Sequence, residues 1–327
     1  MTAELTREIV GALEREYELR VARLEPLALG ADPNTAAHRA VDDAGAEWLV
    51  KLRRGAFQEA VAWLPGFLRD ARLPAVLAPV ASRAGRPWAD LGDWRLIVFP
   101  FVHARQAREV TLSEAQWREL GVALRGLHSV VLPESLASGI ARETWSGEWR
   151  ARVRRLVASG SDSADPITRR TLELVHARRG EIESLVDRAE ALAAEAQARG
   201  PASVLCHTDI HAANVLVDER GAVHIVDWDA PLLAPKERDL MFFGGAQGWR
   251  GVTPEEEERL FYRGYGEVTV DREILAYYRH ERIVQDVAIY LAELLSEGES
   301  RTGRAVSLRR LSANFLPGGT LERARAT

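Results

Sequence analysis

Lysine is almost absent from this chain. Of its 43 basic residues only Lys51 and Lys236 are lysine and the rest are arginine, so the compact point charge that lysine offers is confined to two positions. The single cysteine, Cys206, excludes an intramolecular disulfide. No stretch approaches the roughly 20 uncharged apolar residues that span a bilayer. Met1 to Val10 carries Glu4 and Glu8 and lacks the apolar run of a signal peptide. Internal repeats, low-complexity tracts and long linkers are also missing. A basic excess is missing too: the formal charge of −5 gives no electrostatic reason to expect nucleic acid or an anionic membrane as partner. The expectation is a cytoplasmic protein with no membrane or nucleic-acid partner and no obligate protein partner. A mildly acidic chain of this kind suits a cationic ligand.

What is present is ordinary for a globular protein. The 327 residues are 46% hydrophobic and 28% charged, enough for one large or two modest domains with a real core. The first hundred residues read as mostly β. A short helix with Leu5, Ile9 and Leu13 on one face leads into an extended segment, Glu18 to Leu29. A turn-rich stretch from Gly30 to Thr35 follows, then a strand from Ala36 to Val41. Turn chemistry at Asp42 to Gly45 delivers the chain to a strand from Glu47 to Arg53. Alternation puts Trp48, Val50 and Leu52 on one face of that strand and Leu49, Lys51 and Arg53 on the other. A helix carrying Phe57, Val61, Leu64 and Leu68 comes next, and two apolar strands are expected near Val76 to Val80 and Trp94 to Phe99.

After Val102 the pattern turns helical. Thr111 and Glu114 stand in capping-box spacing at the head of a helix reaching Val130, with Trp117, Leu120, Leu124 and Leu127 as its apolar stripe. Helices are expected around Trp145 to Val157, as one long element from Ile167 to Ala198 ended by Pro201, and as a pair within Pro254 to Leu295. Short strands at Val204 to Cys206, Val215 to Val217 and Val223 to Val226 bracket a polar loop. The domain boundary is placed at the Phe99 to Val102 connection, giving domains 1–101 and 102–327.

The residues that carry chemistry lie in and beside that loop. His207 to Asn214 reads HTDIHAAN, and Asp227 follows thirteen residues after Asn214, at the end of a buried strand. A loop between two strands thus presents the Asp209 carboxylate and then the Asn214 amide, with a second carboxylate just past a hairpin. Phosphoryl transfer asks for this set, because its loose transition state needs positioning and charge neutralisation more than covalent help. Asp209 would accept or orient the proton of an attacking hydroxyl. Asn214 and Asp227 offer hard oxygen ligands for Mg²⁺ on nucleotide phosphates, and Lys51 would hold the α- and β-phosphates. Taken alone, Asp209 or Asn214 would more simply shape a turn; it is the set, in this order and with Lys51 upstream, that points to catalysis.

Nearly the whole chain resembles the aminoglycoside phosphotransferase family, whose members share the two-lobed protein-kinase fold. The resemblance is most specific from Leu205 to Phe243. Within the family, the run from Trp228 to Met241, with Val98 to Phe101 and Gln116 to Gly121, is most similar to the spectinomycin-type phosphotransferases. It implies an α+β fold, a small β-rich N-lobe with nucleotide-binding strands and a larger helical C-lobe with the catalytic loop and acceptor pocket. It also implies ATP and Mg²⁺ as cofactors, Asp209 as catalytic aspartate, Asn214 and Asp227 as metal ligands and Lys51 as a phosphate contact. The Phe99 to Val102 backbone, and so Phe99 and Phe101, would meet adenine, and His207 would brace the loop. With only one glycine in the Gly30 to Thr35 turn, side-chain contacts to phosphate fall to Asn34 and Thr35. Glu59, eight residues beyond Lys51, is the candidate acidic partner for it.

The acceptor implied is a cationic aminocyclitol such as spectinomycin, making the protein an antibiotic-resistance kinase. Carboxylates and flat apolar surfaces would bind it. The candidates are Asp229, for which metal support, substrate contact and a structural hydrogen bond stand level, and Glu143, Trp145, Trp149 and Asp286, each of which by itself is more simply a core or surface residue, so that only the group carries weight. Asp239 is expected to bond to loop backbone, Lys236 to pair with a carboxylate, His211 to serve as scaffold, and Cys206 to be a small buried hydrophobe. Two rival readings stand beside the antibiotic kinase. One is a metabolite kinase acting on homoserine, choline or a sugar, and the other is a nucleotide-binding module without catalysis.

Overall fold

The computed structural model describes residues 3–27, 34–159, 165–245, 248–296 and 301–327. Helix α1 (Ala3–Tyr17) precedes strands β1 (Val21–Leu27), β2 (Thr35–Asp42) and β3 (Glu47–Arg54), helix α2 (Glu59–Asp70), and strands β4 (Ala89–Leu91), β5 (Trp94–Pro100) and β6 (Ala104–Gln106). Next come α3 (Glu114–Ser129), α4 (Glu134–Ala137), β7 (Ala141–Arg142), α5 (Glu148–Ala158), α6 (Pro166–Ala177) and α7 (Arg179–Arg199). Strands β8 (Val204–Cys206), β9 (Val215–Asp218), β10 (Val223–Ile225) and β11 (Leu232–Ala234) follow, then α8 (Glu237–Leu240), α9 (Pro254–Tyr265), α10 (Arg272–Leu295), α11 (Arg301–Ala313) and α12 (Thr320–Arg325). The chain is thus α+β, with a β-rich N-terminal region and a larger helical C-terminal region. No helix among the described residues is long and apolar enough to cross a membrane.

Two compact units are formed, Met1–Ala141 with Ala212–Pro231, and Arg142–His211 with Leu232–Thr327. The expected boundary at 101/102 falls inside the first unit, on the run from β5 to β6. In that unit an antiparallel sheet of order β1-β2-β3-β5-β4 buries Val50, Leu52, Leu96 and Val98 against Ile9 and Leu13 of α1. Because side chains alternate across a strand, the same β3 that contributes Val50 and Leu52 to this core turns Lys51 and Arg53 the other way. The turn before β3 is held by Asp42, whose Oδ1 accepts from the N–H groups of Ala44 and Ala46 and whose Oδ2 accepts from the Trp48 indole at 3.0 Å. A second small sheet, β10-β9-β6, carries the hairpin that matters for function. Its turn is closed by Asp218, which accepts from the N–H groups of Arg220 and Ala222 at 2.9 Å.

In the second unit α10 is the spine. Ile283, Val284, Val287 and Leu291 bury one side of it with Leu185, Val186 and Ala189 of α7, Val153 of α5 and Leu311 of α11. The Asp271 side chain caps it, accepting from the N–H groups of Glu273 and Ile274. Strand β8 pairs antiparallel with β11, Cys206 opposite Leu232.

Several local expectations are corrected. Val76 to Val80 is not a strand, since Pro74 and Pro79 remove ladder donors; what survives is a single bridge from Val76 to Ile225 and the Val80 N–H to Val98 C=O bond. The strand beside β5 on the side away from β3 is β4, joined to it by a two-residue Gly92-Asp93 turn with Gly92 at φ 57°, a hairpin signal in its own right. The capping box of α3 is Ser113 with Gln116, not Thr111 with Glu114. That register puts buried Leu112 and Trp117 at the positions of a hydrophobic staple. The long helix expected from Ile167 to Ala198 is two, α6 and α7, separated at Arg178 beside Gly180, a poor helix former. Gly200, left-handed at φ 55°, ends α7 before Pro201.

Candidate active site

Register alone collects the first group of candidate residues. In the β9–β10 hairpin Val215 faces Ile225, and the Val226 N–H donates to the Asn214 carbonyl at 3.0 Å. Asn214 and Asp227 therefore emerge at the same end of the hairpin. Asp227 is strained, with φ at 71°, where few residues other than glycine, asparagine and aspartate are found. The strain is held from both sides, by the Val226 bond and by the buried Trp228 indole, which donates to the Ile225 carbonyl at 3.1 Å. Such positions cost about 1–3 kcal/mol and cluster where function demands them.

Lys51 of β3 meets this carboxylate. Its Nζ lies 3.5 Å from Asp227 Oδ1 although 176 residues separate them. Two residues further along each segment the pairing repeats, Arg53 reaching Asp229 Oδ1 at 3.2 Å. Both pairs are partly exposed, so as ion pairs they add little stability. Asn214, at 9% exposure, is almost buried. The Asp227 carboxylate and the Asn214 amide offer hard oxygen atoms from one end of the hairpin and Lys51 a positive charge beside Asp227, residue types that fit a magnesium-bound phosphate chain.

The second unit holds the loop with Asp209. Asp239, at 0% exposure, accepts from the N–H of His207 at 2.8 Å and from that of Thr208 at 2.6 Å. Thr208 has φ at 76°, unusual for a β-branched residue, and these two charge-assisted bonds hold it there. The buried His207 accepts at Nδ1 from the Asp209 N–H at 3.3 Å, so it does brace the loop. Asp239→Ala strips both buried N–H groups of this acceptor. The expected loss is about 2–4 kcal/mol, read as a lower urea midpoint, with Asp239→Asn falling between it and the wild type.

Asp209 itself is gripped by an arginine and a histidine. Arg282 Nη1 lies 2.8 Å from Oδ1 and His211 Nε2 lies 3.4 Å from Oδ2. Burial pushes this carboxyl up, but the His211 hydrogen bond and the charge of Arg282 outweigh burial and hold it well below the usual carboxylate range. On the next turn of α10, Asp286 Oδ1 is 3.3 Å from Arg282 Nε, and burial pushes Asp286 up. Sequence reasoning missed Arg282. The signal was there, an arginine one helical turn before Asp286.

The remaining candidates sort themselves by what they already touch. Thr35 opens β2 and Asn34 precedes it, its Oδ1 accepting from Arg54 Nε at 3.4 Å; Gly30 to Pro33 of that turn lie outside the described residues. Glu59 is exposed in the first turn of α2, while the ion pair of Lys51 goes to Asp227. Phe99 is in register with Leu49, and the Phe101 N–H donates to the Glu47 carbonyl at 3.0 Å. Glu143 accepts from the Tyr278 hydroxyl at 3.0 Å and from the N–H groups of Thr144 and Trp145. It thereby shapes the turn in which Trp145, at φ 56°, stacks on Tyr278 with 5.8 Å between ring centres. Trp149 packs against the core of the second unit. Lys236 pairs with Glu237 at 2.8 Å, and Cys206 is fully buried.

A lysine–aspartate pair beside a hairpin amide, together with a braced loop aspartate on a β-rich plus helical chain, belongs to the kinase-like phosphotransferases. Comparison with known proteins gives the same class. The profile of the phosphotransferase enzyme family, the APH family, matches residues 23–278, and the chain belongs to that family. A crystal structure of spectinomycin phosphotransferase, APH(9)-Ia, in complex with ADP and spectinomycin is 34% identical over 98% of this chain and 97% of its own, with a TM-score of 0.89. Choline kinase LicA from Streptococcus pneumoniae shares the fold, with a TM-score of 0.61 at 15% identity over 99% of this chain and all of its own. Protein StrN of Streptomyces griseus is 29% identical over 170 residues, covering 50% of this chain. That match spans about half the relative's length, 53%.

Proposed function

We propose that this protein transfers the γ-phosphoryl group of ATP to a hydroxyl of spectinomycin or a related cationic aminocyclitol, and so confers resistance to it. The observation that carries the chemistry is the Lys51–Asp227 pair, 3.5 Å apart at the hairpin end that also bears Asn214. The acceptor is supported by full-length similarity to a spectinomycin phosphotransferase. ATP as donor suits a cytoplasmic enzyme.

In this reading residues 1–101 form the nucleotide-binding lobe and residues 102–327 the catalytic and acceptor lobe. Lys51, paired with Asp227 at 3.5 Å, would contact the α- and β-phosphates, while Asn214 and Asp227 would hold Mg²⁺. Bound magnesium supplies neutralisation of charge on the transferring phosphates. Asn34 and Thr35 contact phosphate, and the Phe99 to Val102 segment contacts adenine. Within that segment Pro100 has no N–H and the Phe101 N–H is engaged with Glu47, so neither of these donates to the base.

Asp209 receives the acceptor hydroxyl. A carboxylate held this acidic is a weak base, so its main work is to orient the hydroxyl and to take the proton late. A loose transition state asks for that order, because the nucleophile needs little activation before the phosphoryl group departs from ADP. The acceptor's ring would be met by Trp145, whose turn Glu143 supports.

An acceptor panel tests the proposal. With ATP and Mg²⁺, spectinomycin is expected to drive ADP release and to gain one phosphate, whose position product mapping by NMR would identify. Turnover of homoserine, choline or a sugar with spectinomycin inert would reassign the protein to metabolite phosphorylation. ADP binding without turnover of any acceptor would make it a nucleotide-binding module.

A further inference from the structure

The guanidinium of Arg282 is largely withdrawn from water, at 18% side-chain exposure, a costly placement unless its charge is met. It is met on three sides, by Asp209, by Asp286, and by the ring of Phe242, whose centre lies 5.6 Å from the guanidinium carbon. None of these contacts is needed to seat α10, which Ile283, Val284, Val287 and Leu291 already bury. The arginine instead bridges two carboxylates, Nη1 hydrogen-bonded to Asp209 Oδ1 and the Nε side in ion-pair contact with Asp286 at 3.3 Å. Lysine, a point charge on a flexible stem, cannot reproduce that geometry. The two oxygens of Asp209 are therefore distinguished, Oδ1 held at 2.8 Å by Arg282 and Oδ2 approached at 3.4 Å by His211.

We propose that Arg282 is a positioning residue for phosphoryl transfer: it pins Oδ1 of Asp209 so that Oδ2 is presented to the acceptor hydroxyl, and Asp286 keeps Arg282 in place. The proposal rests on the reading of Asp209 as the residue that receives the hydroxyl. It also predicts a pH effect. Arg282 faces Asp209, Asp286 and the Tyr290 phenol, and Asp286 in turn faces His211 and Arg310. Without Arg282, Asp209 keeps the neighbouring Asp286 carboxylate and loses its nearest cation. Its affinity for a proton rises, and activity is lost at a higher pH on the acid side.

The test compares Arg282→Met, Arg282→Lys and Asp286→Asn with the wild type and Asp209→Asn, in full steady-state kinetics across pH. Arg282→Met should lower kcat about 10- to 100-fold, as loss of an orienting partner does. KM for ATP and for the acceptor should stay within about twofold, and the acid limb should move to higher pH. Arg282→Lys should restore the acid limb while kcat stays low. An unchanged kcat in Arg282→Met would overturn the proposal, as would a raised acceptor KM at constant kcat, which would make Arg282 an acceptor contact. Should Arg282→Met fail to fold, Asp286→Asn decides: lowered kcat at constant KM supports the proposal, and unchanged kcat removes it. An Asp209→Asn enzyme as fast as the wild type would sink the underlying reading instead, and the two failures are told apart by that control.

Discussion

Asp209→Asn is expected to lower kcat by about 10²- to 10⁴-fold, the range typical for loss of a positioned acid–base group. The substitution keeps the shape of the side chain and removes its charge and its basicity. The new amide would retain one carbonyl oxygen for Arg282 or for the hydroxyl, but not two, and it cannot take the proton. The neighbouring loop should survive, because its backbone is held by Asp239 through the His207 and Thr208 N–H groups rather than by Asp209. Nucleotide affinity should change little, since the phosphate contacts belong to Lys51, Asn214 and Asp227. Titration with a fluorescent ADP analogue alongside steady-state turnover separates the two effects. An unaltered rate would take Asp209 out of the mechanism.

Asp227→Asn should be as damaging by a different route. Removing one anionic oxygen ligand forfeits several kcal/mol of metal-mediated charge stabilisation, so kcat/KM is expected to fall on the order of 10³-fold. Lys51 also loses the carboxylate that now lies 3.5 Å away. Asparagine is the informative replacement because, like aspartate, it tolerates the left-handed backbone seen here at φ 71°. A β-branched residue would add strain and confuse a folding defect with a ligand defect. The variant should melt with the wild type and need much more Mg²⁺ for activity. A wild-type magnesium dependence would show that Asp227 is no ligand.

Much of the local architecture was legible because it repeats over short distances. Val50 and Leu52 alternate with Lys51 and Arg53, which announced both the strand and its two faces. The polar loop between apolar strands announced Asp209 and Asn214, and the Asp42 to Gly45 turn chemistry announced a hairpin. The misreadings were local competitions that another principle won. Prolines 74 and 79 outweighed the apolar character of Val76 to Val80, and Leu112 with Trp117 decided between two possible capping boxes. The short elements β6, β11 and α8 have too few residues to show any periodicity.

The site divides along the same line. Residue types and short spacings already set the chemistry on offer: a lysine scarce enough to be conspicuous, and an aspartate, an amide and a second aspartate at spacings that suit a metal-bound phosphate. Those properties belong to side-chain type and to neighbours within one loop or one hairpin. Which distant groups complete them is a matter of packing. It set Lys51 against Asp227, Asp239 beneath Thr208, and Arg282 on Asp209. A spacing pattern reports on backbone within a turn or a strand, whereas these partners depend on how packed helices and sheets close long loops of chain.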